Sequence, residues 1–204
     1  MGRILVIGTG PGNEKYLTPV ARVALEKAQA VAGGSRALML VSRGKRKFQI
    51  KNNLHELESF VRENMDKTVA VLTSGDPGIF SILKFLLEKF DSDEIEVIPG
   101  ISSLQLCFAR FRETWEDVRL ISLHGRNHEN ISSVVRNNRK VAIFTDSRNS
   151  PQKVAEKLLK ELGNLKAGVC CNLTSEDEII VRSNLMEIAS GNFPENSIVV
   201  IWSE

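Results

Sequence analysis

The feature that most restricts how this chain can fold is the regular exchange of short apolar runs for stretches with helical spacing. "RILVIG" (3–8) is apolar and stopped by glycine, the pattern of a buried strand. "LTPVARVALEKAQA" (17–30) has helical periodicity, with Thr18 as N-cap and Pro19 at the first helical position. "AVAGG" (30–34) is a short strand entering a glycine turn, and "NLHELESFVREN" (53–64) puts Leu54, Leu57, Phe60 and Val61 on one helical face. Next come a strand "TVAVLT" (68–73), a helix "IFSILKFLLEKF" (79–90), a strand "IEVIPG" (95–100) and the start of a helix, "ISSLQLCFARF" (101–111). Strands that alternate with helices this closely form a mainly parallel sheet with helices on its faces.

The second half reads differently. "RETWED" (112–117) is polar, and beyond it "VRLISLHGR" (118–126) and "KVAIFTDS" (140–147) each run from strand to loop. "SPQKVAEKLLKELG" (150–163) is a helix capped by Ser150, with Pro151 at its first position and Gly163 at its end. "KAGVCCNL", "DEIIVRS" and "NSIVVIW" add three strands with only a short helical pattern between the last two, so a mixed sheet is expected here. The expected architecture is therefore α/β with two lobes, 1–111 on a mainly parallel sheet and 112–204 on a mixed one.

Composition narrows the function classes. With 42% hydrophobic and 25% charged residues and a formal charge of +2, the chain has no electrostatic footprint for nucleic acid. No apolar run approaches a membrane span and no leader pattern precedes the first strand, so a cytoplasmic protein is expected. Cys107, Cys170 and Cys171 form no C-x-x-C pair, and reduced, buried thiols are the expectation for them. His124 has no cysteine or carboxylate at metal-ligand spacing, so no metal site is expected.

Three loops after predicted strands carry the chemistry. "GTGPGN" (8–13) sits where a dinucleotide fingerprint would, but Asn13 replaces the third glycine, Pro11 removes an amide and no acid closes the second strand. The loop is either a tight structural turn or a stiff, backbone-lined ligand wall. "SGDPGIF" (74–80) puts a carboxylate where a phosphate would need amides, because Asp76 repels anions. Gly75 permits close backbone approach, Asp76 suits a cation, an ammonium group or ribose hydroxyls, and Ile79 and Phe80 offer an apolar wall. S-adenosylmethionine has a ribose, an amino group and a positive centre. Asp76 as the N-cap of the next helix, with Pro77 at its first position, fits the same residues equally well. "EVIPGISS" (96–103) repeats the strand-to-glycine design, with Ser102 and Ser103 at a helix start. "AGGSRA" (32–37) and "SRGKRK" (42–47) concentrate positive charge, as solvated loops or as a clamp in which Arg36 or Arg43 grips an acidic substrate.

Together "IGTGPGNEKYLTPVA", "VLTSGDPGIF" and "VIPGISSLQ", in this order and spacing, resemble the tetrapyrrole (corrin/porphyrin) methyltransferases over nearly the whole chain. The resemblance implies two α/β lobes, S-adenosylmethionine in the cleft between them, and a homodimer. It assigns cofactor contacts to Pro11, Gly75, Asp76, Ile79, Ser102 and Ser103, with Phe144 and Leu173 completing the pocket, and turns Gly10 and Gly12 toward the tetrapyrrole. "SLHGR" (122–126) and "AGGSRAL" (32–38) resemble the branch that methylates C-5 of a (cobalt-)precorrin in cobalamin biosynthesis. There a separate protein would supply the decarboxylating C-15 methyl transfer. By the same resemblance His124 is a candidate base, and Arg36, Arg43 and Arg126 are candidates for the substrate's peripheral carboxylates. Other members of the fold methylate diphthine or RNA ribose, and a non-catalytic S-adenosylmethionine or tetrapyrrole sensor is the reading from another class. One departure falls at Cys171-Asn172-Leu173-Thr174-Ser175, where the branch pattern leads one to expect Glu-Asn-Leu and a Tyr-Pro-like turn.

Overall fold

The computed structural model describes residues 3–123 and 130–203. Their packing separates two units, Met1–Ser102 and Ser103–Glu204.

The first unit is built on strands β1 (Ile4–Gly8), β2 (Ala30–Gly33), β3 (Arg46–Gln49), β4 (Val69–Thr73) and β5 (Ile95–Ile98). They form a five-stranded sheet in the order β3-β2-β4-β1-β5, parallel at every pairing. Strand β1 is interior, between β4 and β5, and buried on both faces, which explains its unbroken apolar run. Leu5, Ile7, Ala70 and Leu72 face helix α1 (Pro19–Lys27), while Ile4, Val6, Val69 and Val71 face α3 (Leu54–Arg62) and α4 (Leu83–Lys89). Thr18 caps α1 by accepting from the Ala21 amide at 3.2 Å. That helix stops well short of the predicted 17–30 because Ala30 leaves it to pair with Val69. Helix α4 is also shorter than expected, since residues 77–80 are turns and Leu83 is its first residue.

Residues 42–47 were expected in a loop, yet Arg46 begins edge strand β3, after a short helix α2 (Ser35–Leu38). Three of the cations there work inside the unit. Lys45 Nζ donates to the Leu25 and Glu26 carbonyls at 2.7 and 2.6 Å, closing the end of α1. Lys47 Nζ donates to the Val41 carbonyl at 2.7 Å, and Arg46 pairs with Glu63 at 2.9 Å.

The second unit begins with α5 (Ser103–Phe111) and continues through β6 (Arg119–Ser122), α6 (Ile131–Arg136), β7 (Lys140–Phe144) and α7 (Pro151–Leu162). Strands β8 (Lys166–Cys171) and β9 (Ile179–Asn184), helix α8 (Leu185–Ser190) and strand β10 (Ser197–Trp202) complete it. The sheet order is β6-β7-β10-β8-β9, with only β6 and β7 parallel among its neighbours. The expected pairing of a parallel sheet with a mixed one is thus observed. Helices α6, α7 and α8 cover the face carrying Val141, Ile143, Val169 and Val199.

Helix α5 belongs to this second unit, which corrects the boundary expected at residue 112. Cys107 on α5 is joined to Cys170 on β8, and the Phe111 ring packs on Trp202 with centroids 5.4 Å apart. The polar "RETWED" stretch is no linker either. Glu113 accepts from the Trp202 indole at 2.8 Å and pairs with Arg182 and with Lys140. The disulfide also corrects the expectation of three reduced thiols: only Cys171 is free, and it is buried. No described helix is long and apolar enough to cross a membrane.

Candidate functional site

In a parallel sheet every strand delivers its following loop to the same edge, and ligands of α/β proteins bind at that edge. Strands β4, β1 and β5 lie side by side, so residues 9–12, 74–80 and 99–102 are brought together there. Their convergence is tight enough to require glycine. A Cβ on Gly8 would come within 2.6 Å of the Gly100 amide nitrogen and 2.7 Å of the Gly75 carbonyl oxygen. A Cβ on Gly100 would stand 2.8 Å from the Cα and carbonyl carbon of Gly8, and closer still to the Gly75 oxygen.

Beyond the strand ends, the first two loops continue to pair. The Gly75 amide donates to the Gly10 carbonyl at 2.8 Å, and the Gly10 amide returns a bond of 3.3 Å to Gly75. Both glycines have left-handed backbone, φ 77° at Gly10 and 69° at Gly75, which other residues adopt at a cost. Asp76 then links the second loop to the third. Its Oδ1 accepts from the Gly78 amide at 2.8 Å and its Oδ2 from the Gly100 amide at 3.0 Å.

This arrangement corrects the capping use open to Asp76. It does cap backbone amides, but of the turn at Gly78 and of the neighbouring loop, since α4 begins only at Leu83 and Pro77 is not in its first turn. Each carboxylate oxygen keeps lone-pair capacity beyond that one bond. The carboxylate is therefore locked in place at an edge lined by backbone. Such an edge suits hydroxyl, amino or cationic groups and disfavours phosphate. Ile79 is half-buried beside Asp76, and Phe80 is 45% exposed with φ 47°, an unusual backbone for an aromatic residue. Pro11 is half-buried and Ser102 buried, so the first-unit cofactor candidates are all carried by these three loops.

Gly12 lines an open depression with Asn13, Glu14, Lys15 and Arg22. Lys15 and Arg22 were not singled out from the sequence. Nothing in their spacing marks them, because a short turn at Glu14–Tyr16 is what folds them back beside the glycine loop. Arg36 lies on α2, which follows β2 at the same sheet edge, and Arg36 and Arg43 are both exposed.

In the second unit Ser103, Phe144 and Leu173 gather at one edge of the mixed sheet. Phe144 and Cys170 both register with Ile198 across β10, so β7 and β8 end at the same level, and Leu173 follows at once. Helix α5 runs antiparallel to β8. Its Phe111 ring lies where a Cβ on Gly168 would fall, and its Cys107 is bonded to Cys170 further along the strand. Ser103 is thereby directed toward the edge that carries Leu173. Asn172 and Thr174, which flank Leu173, have positive φ of 48° and 74°. Glu178 holds this turn through the Thr174 amide at 2.7 Å and receives Arg110 Nε at 2.6 Å. The Arg110 hydrogen bond, and to a lesser degree the Thr174 amide, hold the Glu178 carboxyl below the usual range, against the opposing effect of burial. Burial pushes the Cys171 thiol up, which leaves it protonated and unreactive. His124 and Arg126 lie outside the described residues. Among the described residues no cluster of histidine, cysteine and carboxylate side chains could hold a metal.

Comparison with known proteins follows this geometry. The sequence profile of the family described as Tetrapyrrole (Corrin/Porphyrin) Methylases matches residues 3–189. A probable cobalt-precorrin-7 C(5)-methyltransferase of Methanocaldococcus jannaschii is 35% identical, the match covering 97% of this chain and 96% of that one. The cobalt-precorrin-7 C(5)-methyltransferase of Salmonella typhimurium is 31% identical over 97% of this chain and 98% of its own. Among solved structures, the uroporphyrin-III C-methyltransferase of Thermus thermophilus, crystallised with S-adenosylhomocysteine, has the same fold. Its TM-score is 0.76 at 20% identity, covering 98% of this chain and 92% of that one. With a family profile spanning both units and two relatives matched almost end to end, the chain belongs to the tetrapyrrole (corrin/porphyrin) methylases.

Proposed function

We propose that this protein transfers a methyl group from S-adenosylmethionine to the C-5 meso carbon of a (cobalt-)precorrin in cobalamin biosynthesis. The observation that carries this reading is the near end-to-end likeness, at 35% and 31% identity, to two proteins named for that reaction. The loop chemistry agrees with it. A fixed carboxylate beside glycine backbone, at an edge that disfavours phosphate, matches the cofactor's hydroxyl, amino and sulfonium groups.

The cofactor contacts are assigned to Pro11, Gly75, Asp76, Ile79 and Ser102 of the first unit and to Ser103, Phe144 and Leu173 of the second. When bound, S-adenosylmethionine supplies an activated methyl on a sulfonium, so no covalent enzyme intermediate is required. The chain's own residues orient and exclude water. The rigid glycine junction keeps the Asp76 carboxylate aimed without reorganisation at the moment of reaction. Gly10 and Gly12 face the tetrapyrrole, and Arg36, Arg43 and Arg126 receive its carboxylates. Lys15 and Arg22, beside Gly12, are suited to the same task. His124 is assigned the proton taken up after methylation. The protein works in the cytoplasm as a homodimer, with the decarboxylating C-15 methyl transfer left to a separate protein.

Calorimetric titration with S-adenosylhomocysteine, NAD and ATP tests the cofactor assignment. Saturable binding of the first alone is expected, and equal binding of NAD or ATP would refute it. Turnover of a cobalt-precorrin with labelled methyl donor then tests the position of transfer.

A further inference from the structure

The segment 172–178 contains a contradiction in local energetics. Asn172 and Thr174 both have left-handed backbone, at φ 48° and 74°. Asparagine tolerates that region, but a β-branched residue such as threonine is strained there, and such strain persists only where the surroundings impose it. In this turn the imposing groups are identifiable. Asn172 Nδ2 donates to Asp177 Oδ2 at 2.6 Å, and Ser175 Oγ lies 2.6 Å from the Asn172 carbonyl and 2.7 Å from Asp177 Oδ1. The Thr174 amide donates to Glu178 Oε2 at 2.7 Å. Glu178 is in turn gripped by Arg110, whose Nε and Nη2 reach its two oxygens at 2.6 and 3.3 Å. Its side chain is 20% exposed, so the pair is partly shielded from water.

Arg110 and Cys107 are three residues apart on α5 and thus lie on one helical face. Both reach the same turn from opposite ends. Cys107 is bonded to Cys170 just before it, and Arg110 is paired with Glu178 just after it. One helix face therefore holds both ends of the strained turn, and Leu173 sits between the two left-handed residues.

We propose that Glu178, anchored by Arg110, is a positioning residue that sets the backbone of residues 172–174 for the methyl donor. The inference rests on the assignment of Leu173 to the cofactor. Glu178 acts through the Thr174 amide and does not touch the cofactor itself. Loss of its carboxylate frees Thr174 to relax toward ordinary φ, which turns the Leu173 backbone away from the geometry the cofactor requires.

The test compares wild type with Glu178→Ala, Glu178→Gln, Arg110→Ala and, as a control, Glu113→Ala. Glu113 is an equally well-paired carboxylate of the same unit, remote from the turn. Binding of S-adenosylhomocysteine is measured by calorimetry, with melting temperature and hydrogen exchange of the 172–176 peptide alongside. Glu178→Ala is expected to weaken binding about tenfold and to speed exchange, with Glu178→Gln intermediate because it keeps one acceptor for the Thr174 amide. Glu113→Ala should lower the melting temperature while leaving affinity within about twofold. Wild-type affinity in a folded Glu178→Ala protein would overturn the proposal and leave the cofactor assignment intact. So would a loss of affinity in Glu113→Ala that matched its loss of stability in the same way. A wild-type protein that binds no S-adenosylhomocysteine would instead overturn the cofactor assignment, and the role of Glu178 with it.

Discussion

Replacing Gly100 with alanine tests the three-loop junction at its tightest point. The new Cβ would lie 2.8 Å from two backbone atoms of Gly8 and nearer still to the Gly75 carbonyl oxygen. Real Cβ atoms do not approach this closely, and none of the three obstacles is a side chain that could rotate away. The backbone must therefore separate. Overpacking typically costs about 1–3 kcal/mol, and an all-backbone clash belongs at the upper end, ~3 kcal/mol. In a chain of this length that lowers Tm by roughly 6–12 °C. Separation also breaks the 3.0 Å bond from the Gly100 amide to Asp76, a charge-assisted bond. Its loss alone is worth about 1.5–3 kcal/mol of stability and unfixes the Asp76 carboxylate. Gly34→Ala is the internal control, because its Cβ would meet nothing within 4 Å and its φ of −64° suits alanine. Calorimetry with S-adenosylhomocysteine and a thermal melt on both variants decide the matter. We expect Gly100→Ala to fold less stably and to bind at least tenfold more weakly, on the order of 1.4 kcal/mol, with Gly34→Ala like wild type. A Gly100→Ala protein with unchanged Tm and affinity would refute the claim that this close approach builds the site.

Further outcomes follow from other contacts. Asp76→Asn keeps one acceptor but turns an amide NH2 toward a second donor, so binding should weaken by about 1–2 kcal/mol while the fold survives; wild-type affinity would show that the loop link is dispensable. Thiol titration of the unreduced protein should find none reactive when native and Cys171 alone when denatured, since Cys107 and Cys170 are bonded. The closed loop, with a sequence separation of 63, predicts that reduction costs ~4 kcal/mol by chain entropy; an unchanged melt in dithiothreitol would refute that. Because the folded carboxyl of Glu178 is held low, its contribution is fully present above the unfolded value of about 4.3 and fades as pH falls below it. Affinity for S-adenosylhomocysteine should therefore hold from neutrality to below about pH 4.3 and decline only as pH falls through the depressed folded value, a decline absent in Glu178→Gln; identical profiles would exclude Glu178.

The alternation of apolar runs with helical periodicity was enough to read the fold class, because both signals are local. A buried central strand must be apolar on both faces, as Ile4–Ile7 are, and a helix with one buried face must repeat as Leu57, Phe60 and Val61 do. Glycine spacing after β1, β4 and β5 was equally legible, since left-handed backbone and close approach leave few residues to choose from. What the sequence hid depended on partners distant along the chain. Ala30 stood in both the helix and the strand read from the sequence, and pairing with Val69 decided for the strand. Nor could the order of residues show that Lys45 and Lys47 of the "SRGKRK" stretch donate to the Leu25, Glu26 and Val41 carbonyls, which come within reach only after folding. Cysteine spacing could not announce a disulfide, because Cys107 and Cys170 meet only when α5 lies along β8. Identity and order of residues determined by themselves where the glycine-rich loops fall after β1, β4 and β5. Only the tertiary structure decided that Asp76 spends its first hydrogen bonds on Gly78 and Gly100, and that Arg110 and Glu178 hold the turn around Leu173, because these contacts are set by sheet order and helix direction.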